Sequence, residues 1–146
     1  MENKRIGPEI RRLNNLLKRE TEKSAARAGL DGLTGLHGWV IGFIARQEGP
    51  VFQRDLEERF SVRRSTMSNI LSLMEKNGLV TRAPSKKDGR AKQITLTPRA
   101  VAIDRFVRQD IERLEAVITK NISEEELKCF FSTIDKIKNN LEVQDD

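Results

Sequence analysis

Apolar residues recur every three or four positions through most of this chain, with charged residues filling the gaps, and that period predicts helices. "PEIRRLNNLLKRE" sets Ile10, Leu13, Leu16 and Leu17 on one stripe, so a first helix is expected to about Ala28, with Gly29 as its stop. "LTGLHGWVIGFIARQEG" predicts a second, with Thr34 as N-cap, Leu36, Val40, Phe43 and Ile44 turned inward, and Gly49-Pro50 as the end. Gly35, Gly38 and Gly42 weaken that helix. "FQRDLEERF" reads as a short third helix held by Leu56 and Phe60. A fourth, residues 63–76, presents Met67, Ile70, Leu71 and Met74 on one side and closes at Asn77-Gly78 with a left-handed C-cap.

The period then changes. Residues 79–82 and 93–97 read as strands, the second with clean alternation, and Asp88-Gly89 between them is a turn signal, so the pair predicts an antiparallel hairpin. Thr97 caps the next helix and Pro98 takes its first position, where a missing N–H costs nothing. Ile103, Phe106, Val107, Ile111, Leu114, Val117 and Ile118 keep helical spacing to about Thr119. Roughly 22 residues at 1.5 Å each make a rod of about 33 Å. "SEEE", residues 123–126, is a capping box that opens a last helix bearing Leu127, Phe130, Phe131, Ile134, Ile137 and Leu141.

The fold class expected is mainly α with a small antiparallel β-hairpin. Two short helices joined tightly, then a two-stranded ribbon, make a winged helix-turn-helix lobe over residues 34–99. Residues 1–33 and 100–146 supply helices with more apolar surface than so small a lobe covers, and are expected to form a homodimerisation region.

Composition agrees with an elongated helical protein that buries part of its surface against a partner: 37% of the 146 residues are hydrophobic and 34% charged. The absence of a long apolar run argues against a membrane span, and "MENKRIGPEI" is too polar for a signal peptide. One cysteine, Cys129, forms no internal disulfide, so a cytoplasmic protein is expected.

Charge adds the decisive asymmetry. Residues 63–92 hold eight Lys and Arg against two acids, a net +6, while the rest of the chain holds nineteen against twenty. Charge runs are ordinarily solvated surface, but confining the whole excess to one segment points to a polyanion, most simply double-stranded DNA. On the fourth helix Arg63, Arg64, Ser65, Thr66, Ser68 and Asn69 lie near the N-terminus, away from the apolar side. Arg suits guanine, Asn suits adenine, Ser and Thr suit bases or phosphates, and a helix N-terminus offers free N–H groups. The hairpin brings Arg82, Lys86, Lys87, Arg90 and Lys92 to phosphates or a minor groove. Asp88 among them would be repelled by phosphate, and a salt bridge to Arg90 that shapes the tip is the simplest role for it.

"DGRAKQITLT" resembles the wing signature of the MarR (multiple antibiotic resistance regulator) family, D-x-R-x-[KR]-x-[VI]-x-L-T. "LTGLHGWVI" is similar to that family's L-T-x-x-Q opening of helix two, with His37 in place of Gln, and "STMSNILSLMEKNGLVTR" is similar to its recognition helix leading to L-x-x-x-G-L-[VI]-x-R. The resemblance covers the chain in element order and length. It implies a homodimeric winged-helix repressor that releases DNA when a small, often aromatic and anionic, effector binds between the dimerisation helices and the DNA-binding lobe; a two-fold dimer is then expected to want a pseudo-palindromic operator. It also implies wing-tip roles for Asp88 and Arg90. His37, Gly38 and Trp39 depart from the family pattern; His37 and Trp39 are the candidates for ligand contact.

The ordinary role of Cys129 is a small buried hydrophobe. The peroxide-sensing branch of the resembled family carries its cysteine in the first helix, where this chain has none. A single His and a single Cys make a metal site improbable, no catalytic set or phosphate-binding glycine loop appears, and no cofactor is expected. The rival readings are an architectural or protein-interaction winged helix without a specific operator, and an enzyme whose active site the residues do not supply.

Overall fold

The computed structural model describes residues 4–27, 35–87 and 89–145. The expected Thr34 cap, the Gly29 stop and Asp88 lie outside the described residues. The chain divides into two compact units, Met1–Glu112 and Arg113–Asp146.

The first unit runs α1 (Ile6–Arg27), α2 (Gly35–Ala45), β1 (Val51–Phe52), α3 (Gln53–Phe60), α4 (Arg64–Lys76), β2 (Val80–Pro84), β3 (Lys92–Leu96) and most of α5 (Pro98–Ile118). Its core is a single cluster. Ile41, Leu56, Met67, Leu71, Met74, Leu79 and Val80 are fully or almost fully buried, and Ile44, Val51, Ile94, Ala100 and Val107 pack with them. Three of the four apolar residues expected on the fourth helix are therefore core, and Ile70 is half-buried against it. Each fully buried aliphatic side chain contributes roughly 1.5–3 kcal/mol of transfer free energy, and α4 supplies three of them to hold a helix of only thirteen residues.

Local chemistry sets the element ends. The backbone N–H of Phe52 donates to the Asp55 carboxylate and secures the start of α3. Gly78 lies at φ +70°, the left-handed region a Cβ disfavours, and the Leu79 N–H reaches back to the Met74 carbonyl at 2.9 Å to close α4. The Thr97 hydroxyl accepts from the Ala100 N–H at 3.2 Å and donates to the Gly78 carbonyl at 2.6 Å, so the cap of α5 is also bonded to the end of α4. Arg99, in the first turn of α5, bonds the carbonyl of Asn77.

The sheet has one strand more than the hairpin. Val51–Phe52 pairs antiparallel with β3, giving the order β1-β3-β2 with β3 in the middle. Two residues bounded by Pro50 and a helix carry no alternation to read, which is why β1 escapes the sequence pattern. Pro84, which cannot donate to a ladder, falls on the edge strand β2. The hairpin loop spans residues 85–91, closed by Ser85 N–H to the Ala91 carbonyl at 2.8 Å.

Two helices depart from the expected faces. On α2, Ile41 is fully buried although the spacing did not place it inward; Leu36 and Phe43 are only partly covered. Gly38 is where α2 meets α5: a Cβ there would sit 3.2 Å from Cγ1 of Val107. On α5 the expected apolar stripe divides. Ala100 and Val107 are buried together with Asp104 and Asp110, while Phe106, Val117 and Ile118 are exposed. The buried Asp104 is matched by Arg108 one turn on, at 2.8 Å.

The second unit contains the last six residues of α5 and α6 (Glu124–Glu142), which runs into a short 3-10 turn. Ser123 and Glu126 form the capping box, with mutual bonds of 2.8 and 3.1 Å. No residue of α6 is buried, and Phe130 and Phe131 meet edge to face with ring centres 5.5 Å apart. Cys129 is exposed on this helix, not the small buried hydrophobe expected, because it lies off the face on which Leu127, Ile134 and Ile137 are half-buried.

Candidate nucleic-acid interface

α4 has Arg63 as its N-cap residue in an extended conformation, with no side chain accepting from the first turn. The amides at its start are thus left for an external acceptor, and an anion fits there. Arg63, Arg64, Ser65, Thr66 and Asn69 are exposed around that end, and Ser68 is half-buried. At about 3.6 residues per turn, Ser65, Asn69, Ser72 and Lys76 form the row opposite Met67, Leu71 and Met74. The core that buries one face of α4 presents the other outward. The Gln53 side chain donates to the Arg64 carbonyl at 3.4 Å, tying the start of α3 to the start of α4.

The wing offers a second basic surface. Lys86, Lys87 and Arg90 are exposed in the loop, and the Lys87 N–H donates to the Ser85 hydroxyl, folding the chain locally. Lys92 opens β3 and is exposed. The Asp88–Arg90 pair falls outside the described residues because Asp88 does.

Arg82 is placed differently from the loop cations. It pairs across the ladder with Ile94, so the two side chains share the sheet face turned toward the core. Its guanidinium goes to α4: Nε donates to Glu75 Oε2 at 3.5 Å, and Nη2 to Glu75 Oε1 at 3.4 Å and to Ser72 Oγ at 3.1 Å. Its backbone N–H also points at Glu75 Oε2, at 3.3 Å. The side-chain hydrogen bond from Arg82 is the main cause that holds the Glu75 carboxyl below the usual carboxylate range; the charge of Arg82, its N–H and the charge of Lys92 add to it, against partial desolvation. Period two along β2 was the signal available in the sequence, since Val80 and Arg82 must face the same way.

The two candidate ligand residues occupy unlike surroundings. His37 is buried, 4% exposed, on α2, whereas Trp39 is 37% exposed. An open cleft of about 630 Å³ between the end of α2, β1 and β3 is lined by Ile44, Pro50, Val51, Lys86 and Gln93 among others, and includes neither of them. Among the described residues no group of three or more His, Cys, Asp and Glu is placed to hold a metal ion, and no helix is long and apolar enough to cross a membrane.

A sequence profile of the MarR family matches residues 31–91, which span α2, the helix-turn-helix and the wing loop. The transcription regulator MarR from Oenococcus oeni PSU-1 superposes with a TM-score of 0.79 at 25% identity, covering 92% of this chain and 99% of its own. The matched segment is a MarR-family region. Other MarR-like structures share the fold at lower identity. S. aureus MepR, solved as a DNA complex, has a TM-score of 0.84 at 21% identity over 95% of this chain and 99% of its own. PcaV from Streptomyces coelicolor, solved with its natural ligand, has 0.79 at 22% over 92% of each. The chain accordingly has the winged-helix fold of these transcription regulators, with six helices and a three-stranded antiparallel sheet among the described residues.

Proposed function

We propose that this protein is a homodimeric repressor, acting in the cytoplasm, that reads a pseudo-palindromic operator in double-stranded DNA and releases it on binding a small effector. The observation that carries the reading is the uncapped start of α4, where Arg63, Arg64, Ser65, Thr66 and Asn69 stand exposed beside free helix amides. Those residues, with Ser68, enter the major groove; Lys86, Lys87, Arg90 and Lys92 follow the flanking backbone or minor groove, with Asp88 shaping the tip. Apolar side chains left exposed in α1, α5 and α6 (Ile10, Leu13, Phe106, Phe130, Phe131, Leu141) support a second copy as the covering partner. The regions assigned to pairing are residues 1–33 and 100–146, and residues 34–99 are the reading lobe. A two-fold dimer requires half-site centres about 10 bp apart.

The effector is a small aromatic or anionic molecule, with Trp39 and His37 at its site; the ligand-bound state of PcaV supports a ligand-responsive member of this fold. A mobility-shift titration against a randomised palindrome library at fixed salt tests the DNA reading. Asn69→Ala is expected to relax preference at particular bases by about 1–3 kcal/mol, and Arg90→Ala to weaken all sequences alike while lowering the salt slope by about one. Binding without a specificity ratio would instead make the protein an architectural module.

A further inference from the structure

One cation of the basic segment is turned inward. Arg82 directs three donors at the single carboxylate of Glu75 and a fourth bond to Ser72, at 3.1–3.5 Å, and its side chain is 22% exposed. Glu75 and Ser72 lie one turn apart on α4, so a planar guanidinium fork bridges a helix turn to an edge strand. Ser72 belongs to the outward row that includes Ser65 and Asn69, and Glu75 lies on the flank beside it. The end of α4 is separately bonded to the start of α5 through Thr97 and Arg99. Arg82 therefore joins the wing to the body of the recognition helix by side-chain hydrogen bonds. Lys92, on the strand face shared with Ile94, adds its charge to the same carboxylate.

We infer that Arg82 is a positioning residue that sets the angle between recognition helix and wing, and so the distance along DNA between the major-groove contacts and the flanking contacts. Glu75 is the anion that draws this guanidinium away from phosphate. The inference rests on the DNA-reading function proposed above. It differs from assigning Arg82 to phosphate in the sign of one measurement: removing Glu75 helps a phosphate-binding Arg82 and harms a positioning one.

The test uses the full-length protein with Arg82→Gln, Arg82→Lys, Glu75→Gln and the double variant E75Q/R82Q, each checked for unchanged helical content. Affinity and salt slope are measured on an operator selected with the unaltered protein. A series in which the A·T-rich flank is moved one base pair toward or away from the half-site is measured alongside. Positioning predicts that Arg82→Gln, Arg82→Lys and Glu75→Gln each weaken binding about three- to tenfold, that the double variant is no worse than either Gln single, and that the slope is unchanged. It also predicts a flatter preference across the spacing series. Wild-type affinity in Arg82→Lys, tighter binding in Glu75→Gln, or a slope reduced by about one in Arg82→Gln overturns the inference. If the unaltered protein selects no operator, the functional reading fails separately. The tie is then scored by amide exchange in residues 80–96: faster exchange in both Gln singles upholds it, and unchanged exchange removes it.

Discussion

The winged-helix lobe and α6 solve the burial problem in opposite ways. Leu56, Met67, Leu71 and Met74 are shielded completely by residues of their own chain, so α3 and α4 are held without help. α6 is longer, 19 residues, and as regularly patterned, yet none of its residues is fully covered: Leu127, Ile134 and Ile137 are half-buried, and Phe131 is 60% and Leu141 65% exposed. Helical periodicity says that a face will be covered but not by what. In the lobe the cover is the sheet and neighbouring helices. For α6 a second copy is the proposed cover.

Four substitutions and one titration can break or sharpen that contrast. Leu71→Ala removes a fully buried side chain and is expected to cost about 2–5 kcal/mol in denaturant unfolding, with a midpoint that does not depend on protein concentration. Phe131→Asp places a charge on the exposed face of α6 twice in a symmetric dimer. Sedimentation should show the dimer dissociation constant rise roughly a hundredfold, with the lobe still folded. A concentration-independent loss of folding in this variant would erase the distinction. Gly78→Ala forces a Cβ into the left-handed region and is expected to lower lobe stability by about 1–2 kcal/mol in thermal melts. Ser123→Ala removes the N-cap of α6 and is expected to cost about 1 kcal/mol, seen as faster amide exchange in the first turn of that helix.

The smallest effect concerns Glu75. Its folded-state pKa is depressed, so the stability it contributes is present above its ordinary value of 4.5 and is lost as pH falls through the lower folded value. Carbon-detected NMR should show the Glu75 carboxyl titrating below 4.5, and Arg82→Gln should bring the midpoint back up. An unmoved midpoint would mean that the Arg82 bonds do not form in solution.

Elements built by one strong local rule were legible before any coordinates. The capping box at Ser123 and Glu126, the Thr97 cap, the Gly78 stop and the α4 core face all appear where the residues put them. Each depends on groups within a few positions in sequence. The candidate site was legible in the same measure. The exposed set near the start of α4 follows from the position of Met67 and Leu71, because fixing one side of a helix fixes the other.

What the sequence alone determined, then, was the order of the helices and the hairpin, the two faces of α4 and where the positive charge is concentrated. Tertiary structure decided which neighbour each face met. It recruited Val51–Phe52 as a third strand, pressed Gly38 against Val107, drew Asp104 and Asp110 inward on α5, and turned Arg82 from the wing toward Glu75. Periodicity constrains directions around one element's own axis. These outcomes depend on how two elements distant in sequence approach each other, and that distance is set by the packing of the whole core.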